Sequence, residues 1–431
     1  MVQIFGGYLK VKFVLLIVLF AVNSQAGVWP TQNQWDMSWE NKFTEWVQTN
    51  WTDDVFVNKK SPYYGIKTDC ADATYTMRIL FSYENNLAFA IRDVTDYSSR
   101  VAISNEMTRW DGSEDEKSKL FLFIDYINKI TATVTLPNDL YPVSVTRESF
   151  RPGLVYVEPK IHSYQLIELP RSGVPVLLSS TVPVKLRKLN LLHDFSPYAP
   201  EDDRLYRDGY QRFRWPKYLY QSKHKIPGFS VEQFNLSRDV EYEHAEFVEL
   251  LFERLALMPE SLQEKTQRLF DNLCRYSQGR VTVVQEALDY KREISNRCMN
   301  SSEYDSYSTP SRDKKLEEQF ERFDTFAQEK LLIGNESDDD EGDSWGDEKE
   351  IKLTEKIHLA QLLFKDNDIS TPEYEKLTTG CPISYRSTST ISLRELWSRL
   401  RNGNMVTNPN APLSYRWGEE GDEYQSSCRE Y

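Results

Sequence analysis

Apolar residues recur along this chain with two different periods, and the change of period divides it. The stretch "SWENKFTEWVQ" (38–48) reads as helix. Over 71–88, Ala73, Met77, Leu80 and Phe81 return every three or four residues, which predicts a second, amphipathic helix. "LFLFIDYINKI" (120–130) is apolar without a decisive period and fits either a helix or a buried strand. Next come "GLVYVEP", "HSYQLIEL" and "VPVLLSSTVP" (153–183), which are short and rich in Val, Leu, Ile and Tyr. Pro159-Lys160 separates the first two, and Pro170-Arg171-Ser172-Gly173 the second and third, as expected for antiparallel strands joined by hairpins. From 241 onward the period is helical, in "EYEHAEFVELLFERLALM", "SLQEKTQRLFDNLCRY" and "RVTVVQEALDYKREISNRCM", then at 312–333 and 350–365. Ser261 with Glu264 has the spacing of a capping box. A last short helix, "ISLRELWSRLRNG", stops at Gly403. The class expected is α+β, with a helical C-terminal region.

Composition narrows the function. In 431 residues there are 66 Asp+Glu against 52 Lys+Arg, which argues against a nucleic-acid partner because phosphate binding needs a basic face. The 40% apolar content is enough for a real core. At the N-terminus, Lys10 and Lys12 precede the apolar run "FVLLIVLFAV", and "NSQA" places Ser24 and Ala26 at the small positions of a cleavage site. These three parts predict a signal peptide over 1–26, export to a periplasm or the cell exterior, and no integral membrane segment once it is removed. The acidic run "ESDDDEGDSWGDEKE" fails the calcium-loop template, since Ser337 stands where Asp is needed, and reads as a flexible loop over 334–350. There is no phosphate-binding glycine loop and no cysteine/histidine zinc set, so neither cofactor nor metal is expected. The tripeptides at Asn50, Asn235, Asn300 and Asn335 fit glycosylation sequons.

Export turns attention to the five cysteines. Cys274, Cys298, Cys381 and Cys428 lie in the last part of the chain, and Cys70 stands apart. Four cysteines allow three connectivities, and proximity in sequence favours Cys274 with Cys298 and Cys381 with Cys428. Under any of them Cys70 is the one left over. Thr68 and Asp69 are good N-caps, so Cys70 falls in the first turn of a helix, where free N–H groups and the helix dipole favour a thiolate. A cysteine nucleophile needs a base. Among the five histidines His162 is the best placed, at the start of a strand that can face the helix end. Pairing Leu169 with Val174 across the hairpin sets His162 opposite Thr181, which with Ser180 or Ser179 could orient the imidazole.

The segment "PYYGIKTDCADATY" resembles the nucleophile segment of the NlpC family of papain-like cell-wall cysteine peptidases: Tyr63 or Tyr64, Gly65, Asp69, Cys70 and Ala71 match its pattern. "RPGLVYVEPKIHSYQLIEL" follows the family's next order, with Gly153 opening one strand and His162 the next. Leu154 stands where the family usually has Asp, and the spacing from Cys70 to His162 implies an insertion near 93–150. The resemblance implies a papain-like domain over 27–200, with helices on a small antiparallel sheet, followed by a linker over 201–240 and the helical region 241–431. It implies an exported cysteine hydrolase acting on an amide bond of a cell-wall peptide stem. Cys70 would be nucleophile, His162 base then acid, Thr181 the orienting group, and Tyr63, Tyr64 and Asp69 substrate contacts; Arg147, Arg151, Lys160 and Arg171 would supply basic contacts. The alternatives are a catalytically inactive envelope binding or scaffold protein on the same fold, with a protein partner for the helical region, and a transglutaminase- or acyltransferase-like cysteine enzyme.

Overall fold

The structure, a computed structural model, describes residues 27–431 except 96–101, 114, 159–161, 333–347, 366–367 and 422. The signal-peptide stretch, the Pro159-Lys160 turn, the Asn335 sequon and nearly all of the acidic run lie outside the described residues.

Helix α1 (Met37–Asn50) starts at Asp36, whose carboxylate accepts from the Trp39 N–H. Helix α2 (Cys70–Glu84) starts at Asp69, and a short hairpin, β1 (Ala90–Arg92) with β2 (Ala102–Ser104), follows. The undecided stretch "LFLFIDYINKI" belongs to a helix, α3 (Glu116–Ile130), that buries Leu120, Phe123, Ile124 and Ile127 at helical spacing. Strands β3 (Leu140–Pro142), β4 (Val155–Glu158), β5 (His162–Glu168), β6 (Val176–Ser179), β7 (Asn190–Leu192) and β8 (Gly209–Phe213) form one antiparallel sheet in the order β3-β8-β4-β5-β6-β7. The β5–β6 register pairs Gln165 with Leu178 and Leu166 with Leu177, as the hairpin reading expects, before a bulge shifts Glu168 to Val176. The hairpin turn needs Gly173: its φ is +82°, and a Cβ there would sit 2.4 Å from the Phe252 carbonyl oxygen.

Strand alternation gives the sheet two working faces. Val155, Val157 and Leu178 point into one core with α1, α2 and α3. Tyr156, Tyr164, Leu166 and Leu177 point into a second core, shared with Phe247, Leu251 and Leu255 of α5 (His244–Leu255). The first core encloses α2 so fully that every residue from Cys70 to Ser82 is buried, so α2 is not the amphipathic helix its apolar spacing suggests. Its one ion pair, Arg78 with Glu40 at 2.6 Å, is buried with it, and the Arg78 guanidinium lies over the Trp35 ring.

Two domain expectations are corrected here. Residues 201–240 are not a linker: β8 sits between β3 and β4 inside the sheet, and α4 (Glu232–Asp239) buries Phe234 and Leu236. The sheet unit also does not end at 200, because α5 is part of its second core. The helical unit starts with α6 (Leu262–Glu293), one continuous helix rather than two, with Gly279 in its interior. Its buried Leu269, Phe270, Leu273 and Val284 lie on both sides of that glycine, and packing over this length outweighs the roughly 1 kcal/mol that a mid-helix glycine costs. After α7 (Ser301–Tyr307), α8 (Pro310–Ala327), α9 (Glu348–Phe364) and α10 (Thr371–Gly380) come a hairpin, β9 (Ile383–Arg386) with β10 (Ser389–Ile391), and then α11 (Leu393–Arg401) and α12 (Leu413–Arg416). The disulfides join Cys274 to Cys381 and Cys298 to Cys428, correcting the sequence-proximity pairing. The bonds span 107 and 130 residues, contacts of the folded chain that proximity in sequence does not report. Cys70 is the free cysteine, and it is buried.

Candidate functional site

The Cys70 end of α2 is built by a reciprocal cap. The Asp69 carboxylate accepts the Asp72 N–H at 3.1 Å, and the Asp72 carboxylate accepts the Asp69 N–H at 2.9 Å. This places Cys70 in the first turn, where the cap argument puts it. Its surroundings, however, do not favour a thiolate. Cys70 is 6% exposed, and its sulfur meets the Thr133 hydroxyl at 3.2 Å. Burial raises the thiol pKa, and the carboxylates of Asp69 and Asp72 push the same way; the Thr133 contact lowers it in part. Asp72 is itself pushed up to about 8, by burial first and then by Asp69.

Across from Cys70 stands β5, and the alternation of its side chains decides what faces the thiol. Ser163 donates to the Cys70 carbonyl at 2.9 Å and contacts the Thr74 hydroxyl at 3.0 Å, and the Gln165 amide donates to Thr74 at 2.7 Å. The odd-numbered positions of β5 therefore face α2. His162 leaves the strand on the other face, its ring 4.5 Å from that of Tyr164, and it shares no hydrogen bond with Cys70. Burial, then Lys315 and Arg312, lower its pKa to about 3, so it is neutral at ordinary pH. Thr181 joins it on that side, accepting from Arg312 at 3.0 Å. The expected Cys70–His162–Thr181 triad is thus split: His162 and Thr181 share a face, and Cys70 lies on the other. A one-residue difference in facing is enough to do this.

The expected substrate contacts are divided as well. Tyr63 is buried and donates its hydroxyl to Glu84, Asp69 is used up as the cap, and only Tyr64 is exposed. Of the expected basic contacts, Arg147 is held by the carbonyls of Leu169, Pro170 and Leu255, and Arg151 reaches Asn41 on α1. The remaining histidines serve elsewhere. His193 is influenced by Arg275 and Asp271 of α6, His224 is exposed in a turn, His244 accepts from the Ala199 N–H at 3.2 Å, and His358 lies on α9.

A second site lies where the sheet unit meets the helical unit, a cleft of about 960 Å³. Phe195, Tyr198 and α5 line one wall, and α6 and α8 the other. The His244 ring packs edge-on to Tyr198 at 4.6 Å. Lys315 reaches into this junction from α8, 2.9 Å from the Tyr164 hydroxyl and 3.3–3.4 Å from the Glu158 carboxylate. Arg322 binds the buried Asp194 carboxylate at 2.8 Å through one nitrogen, while its other terminal nitrogen is buried with no acceptor among the described residues. Burial, then Glu318 and Glu158, raise the Tyr198 hydroxyl to about 12. The cleft therefore offers aromatic faces, apolar side chains and charges of both signs. Sequence reasoning missed it because its residues come from four separate stretches and form no motif.

Comparison of the chain with protein-family models, with curated proteins and with solved structures finds no match. The two disulfides are consistent with an exported protein, and among the described residues no helix is long and apolar enough to cross a membrane.

Proposed function

We propose that the chain is an exported peptide-binding protein, in which a papain-like scaffold carries a cysteine that has no base. The observation that carries this reading is the cleft at the junction of the two units. Its volume lies in the range of ligand sites, and such sites favour the meeting of domains. The aromatic faces of Phe195, Tyr198 and Phe326 suit apolar side chains of an extended peptide. Glu246 and Glu249 on one wall, with Lys265 and Lys330 on the other, suit polar groups of both signs. The hydrolase reading keeps its nucleophile position but has lost the histidine that would activate it, and Cys70 is held as a protonated, buried thiol.

Two measurements test this. Peptides selected from a random library on the wild-type protein are titrated calorimetrically against wild type, Tyr198→Ala and His244→Ala. Affinity should fall at least about tenfold in one of the variants, the loss of one good contact of about 1.4 kcal/mol. Failure to enrich any peptide, or equal binding by all three proteins, refutes the assignment. Separately, iodoacetamide at neutral pH should leave Cys70 unmodified in the folded protein. Rapid labelling, together with cleavage of cell-wall peptides by wild type but not by Cys70→Ala, would restore the hydrolase.

A further inference from the structure

Among the described residues, one buried cluster of the helical unit holds more positive charge than the side chains around it neutralise. Arg280 of α6 is 2% exposed, and Arg416 and Trp417, at the end of α12, are each 0% exposed. The carboxylate paired with Arg280 is Asp313 in the first turn of α8, and its two oxygens already accept three hydrogen bonds. Its Oδ1 accepts from Arg280 Nε at 2.7 Å, and its Oδ2 accepts from Arg280 Nη2 at 3.1 Å and from the Thr309 hydroxyl at 2.8 Å. Arg416 donates only Nη2, to the Tyr307 carbonyl at 3.2 Å. Four buried donors are left with no acceptor among the described residues: Arg280 Nη1, Arg416 Nε, Arg416 Nη1 and Trp417 Nε1.

These donors belong to adjoining side chains. The Arg280 guanidinium lies over the Trp417 ring at 4.8 Å, and the charges of Arg280 and Asp313 both act on Arg416. Two guanidiniums and one carboxylate leave one positive charge over, and Arg312 adds to the positive field around Arg416. Burial and Arg280 lower the Arg416 pKa to about 9, which still leaves it charged at neutral pH. A carboxylate or a lysine can lose its charge when buried; a guanidinium gives up its proton far less readily. An unpaired buried charge is among the most costly features a fold can carry. A counter-charge from outside the chain resolves both the surplus and the unmet donors.

We propose that Arg280, Arg416 and Trp417 enclose a single chloride-sized monovalent anion that fastens α12 to α6 and α8. One negative charge matches the surplus of one, and exposures of 0–2% close the site to a larger organic ligand. The ion would tie α12 to the helical core, and the Cys298–Cys428 bond holds the tail that follows α12.

Crystals grown in sodium bromide test the site directly. An anomalous peak about 3–3.5 Å from Arg416 and Trp417 Nε1 is expected; their absence, or a water in that position, overturns the proposal. In solution, replacing gluconate by chloride at constant ionic strength should raise the wild-type Tm by about 2–4 °C, the linkage expected of an ion that binds only the folded state. A Tm that ignores chloride refutes it. Arg416→Met removes the surplus charge and should abolish the chloride response, and a response that persists in this variant equally overturns the assignment. Should Arg416→Met not fold, the wild-type bromide map and chloride response decide alone.

Discussion

The placement of His162 makes a quantitative prediction. In the folded chain its imidazole is lowered to about 3, by burial first and then by Lys315 and Arg312 of α8; in the unfolded chain it titrates near its ordinary 6.5. Below pH 6.5 the unfolded state takes up a proton that the folded state refuses. Stability is therefore lost as pH falls from about 6.5 towards 3, at up to about 1.4 kcal/mol per pH unit. At pH 4.5 the loss from this one group is about 2–3 kcal/mol. Other groups titrate in the same window, and Asp139, raised to about 6 by burial, is one. The quantity to measure is thus the difference between wild type and His162→Phe, which keeps a ring against Tyr164 and removes the titration. Urea unfolding followed by tryptophan fluorescence at pH 4.5, 5.5, 6.5 and 7.5 gives that difference. The stability of wild type relative to the variant should fall by about 2–3 kcal/mol from pH 7.5 to 4.5. An unchanged difference across the range, or an imidazole proton signal that titrates near 6.5 in the folded protein, would refute the burial argument. It would also return His162 to candidacy as a base.

Asp72 has the opposite sign: its carboxyl is pushed up to about 8, so the folded state holds a proton that the unfolded state loses near 3.8, and stability falls as pH rises between these values. Asp72→Asn should flatten that slope, measured as the wild-type-minus-variant unfolding free energy from pH 6.5 to 8, above the His162 window. Gly173→Ala forces a Cβ to within 2.6 Å of backbone atoms of Phe252 and Ala256 at a φ of +82°, and should cost about 2–4 kcal/mol in urea unfolding. Opening the Cys274–Cys381 bond, which closes a separation of 107 residues, by the double serine variant should cost about 4–5 kcal/mol. Non-reduced peptide mapping should return the pairs 274–381 and 298–428, and a 274–298 peptide would overturn the fold of the helical unit.

Local structure was legible wherever a few neighbouring residues decide it. Asp69 caps α2, Ser261 and Glu264 form a capping box on α6, and Gly173 turns the β5–β6 hairpin, all as the residues suggest. The pairing of β5 with β6 was legible too, because turn length fixes which residues stand opposite each other. Which face each residue takes was not, since that depends on which side α2 packs, a contact made across some ninety residues of chain. Strand β8 was hidden for a related reason. "GYQRF" carries Gln211 and Arg212 where an inner strand usually shows apolar residues, and the fold supplies a distant partner, the carbonyl of Ser149, for the Arg212 guanidinium. The disulfide connectivity likewise follows from contacts made across 107 and 130 residues rather than from spacing.

The helical region also bears on why the first site does not assemble. A papain-like hydrolase needs an open cleft where the helix carrying its cysteine meets the strand carrying its histidine. Here the histidine side of that junction is occupied by α8. Lys315 takes the Glu158 carboxylate and the Tyr164 hydroxyl, and Arg312 takes Thr181, the residue that would have oriented the imidazole. Glu158 stands directly opposite His162 in the β4–β5 ladder, so the same lysine closes over the strand start. Two cations held there also oppose any positive charge on His162, the charge a general base must carry after it takes a proton. The covering helix and the electrostatics thus act in one direction. Removing the cations alone would not make His162 a base for Cys70, because β5 would still turn Ser163, not His162, towards α2.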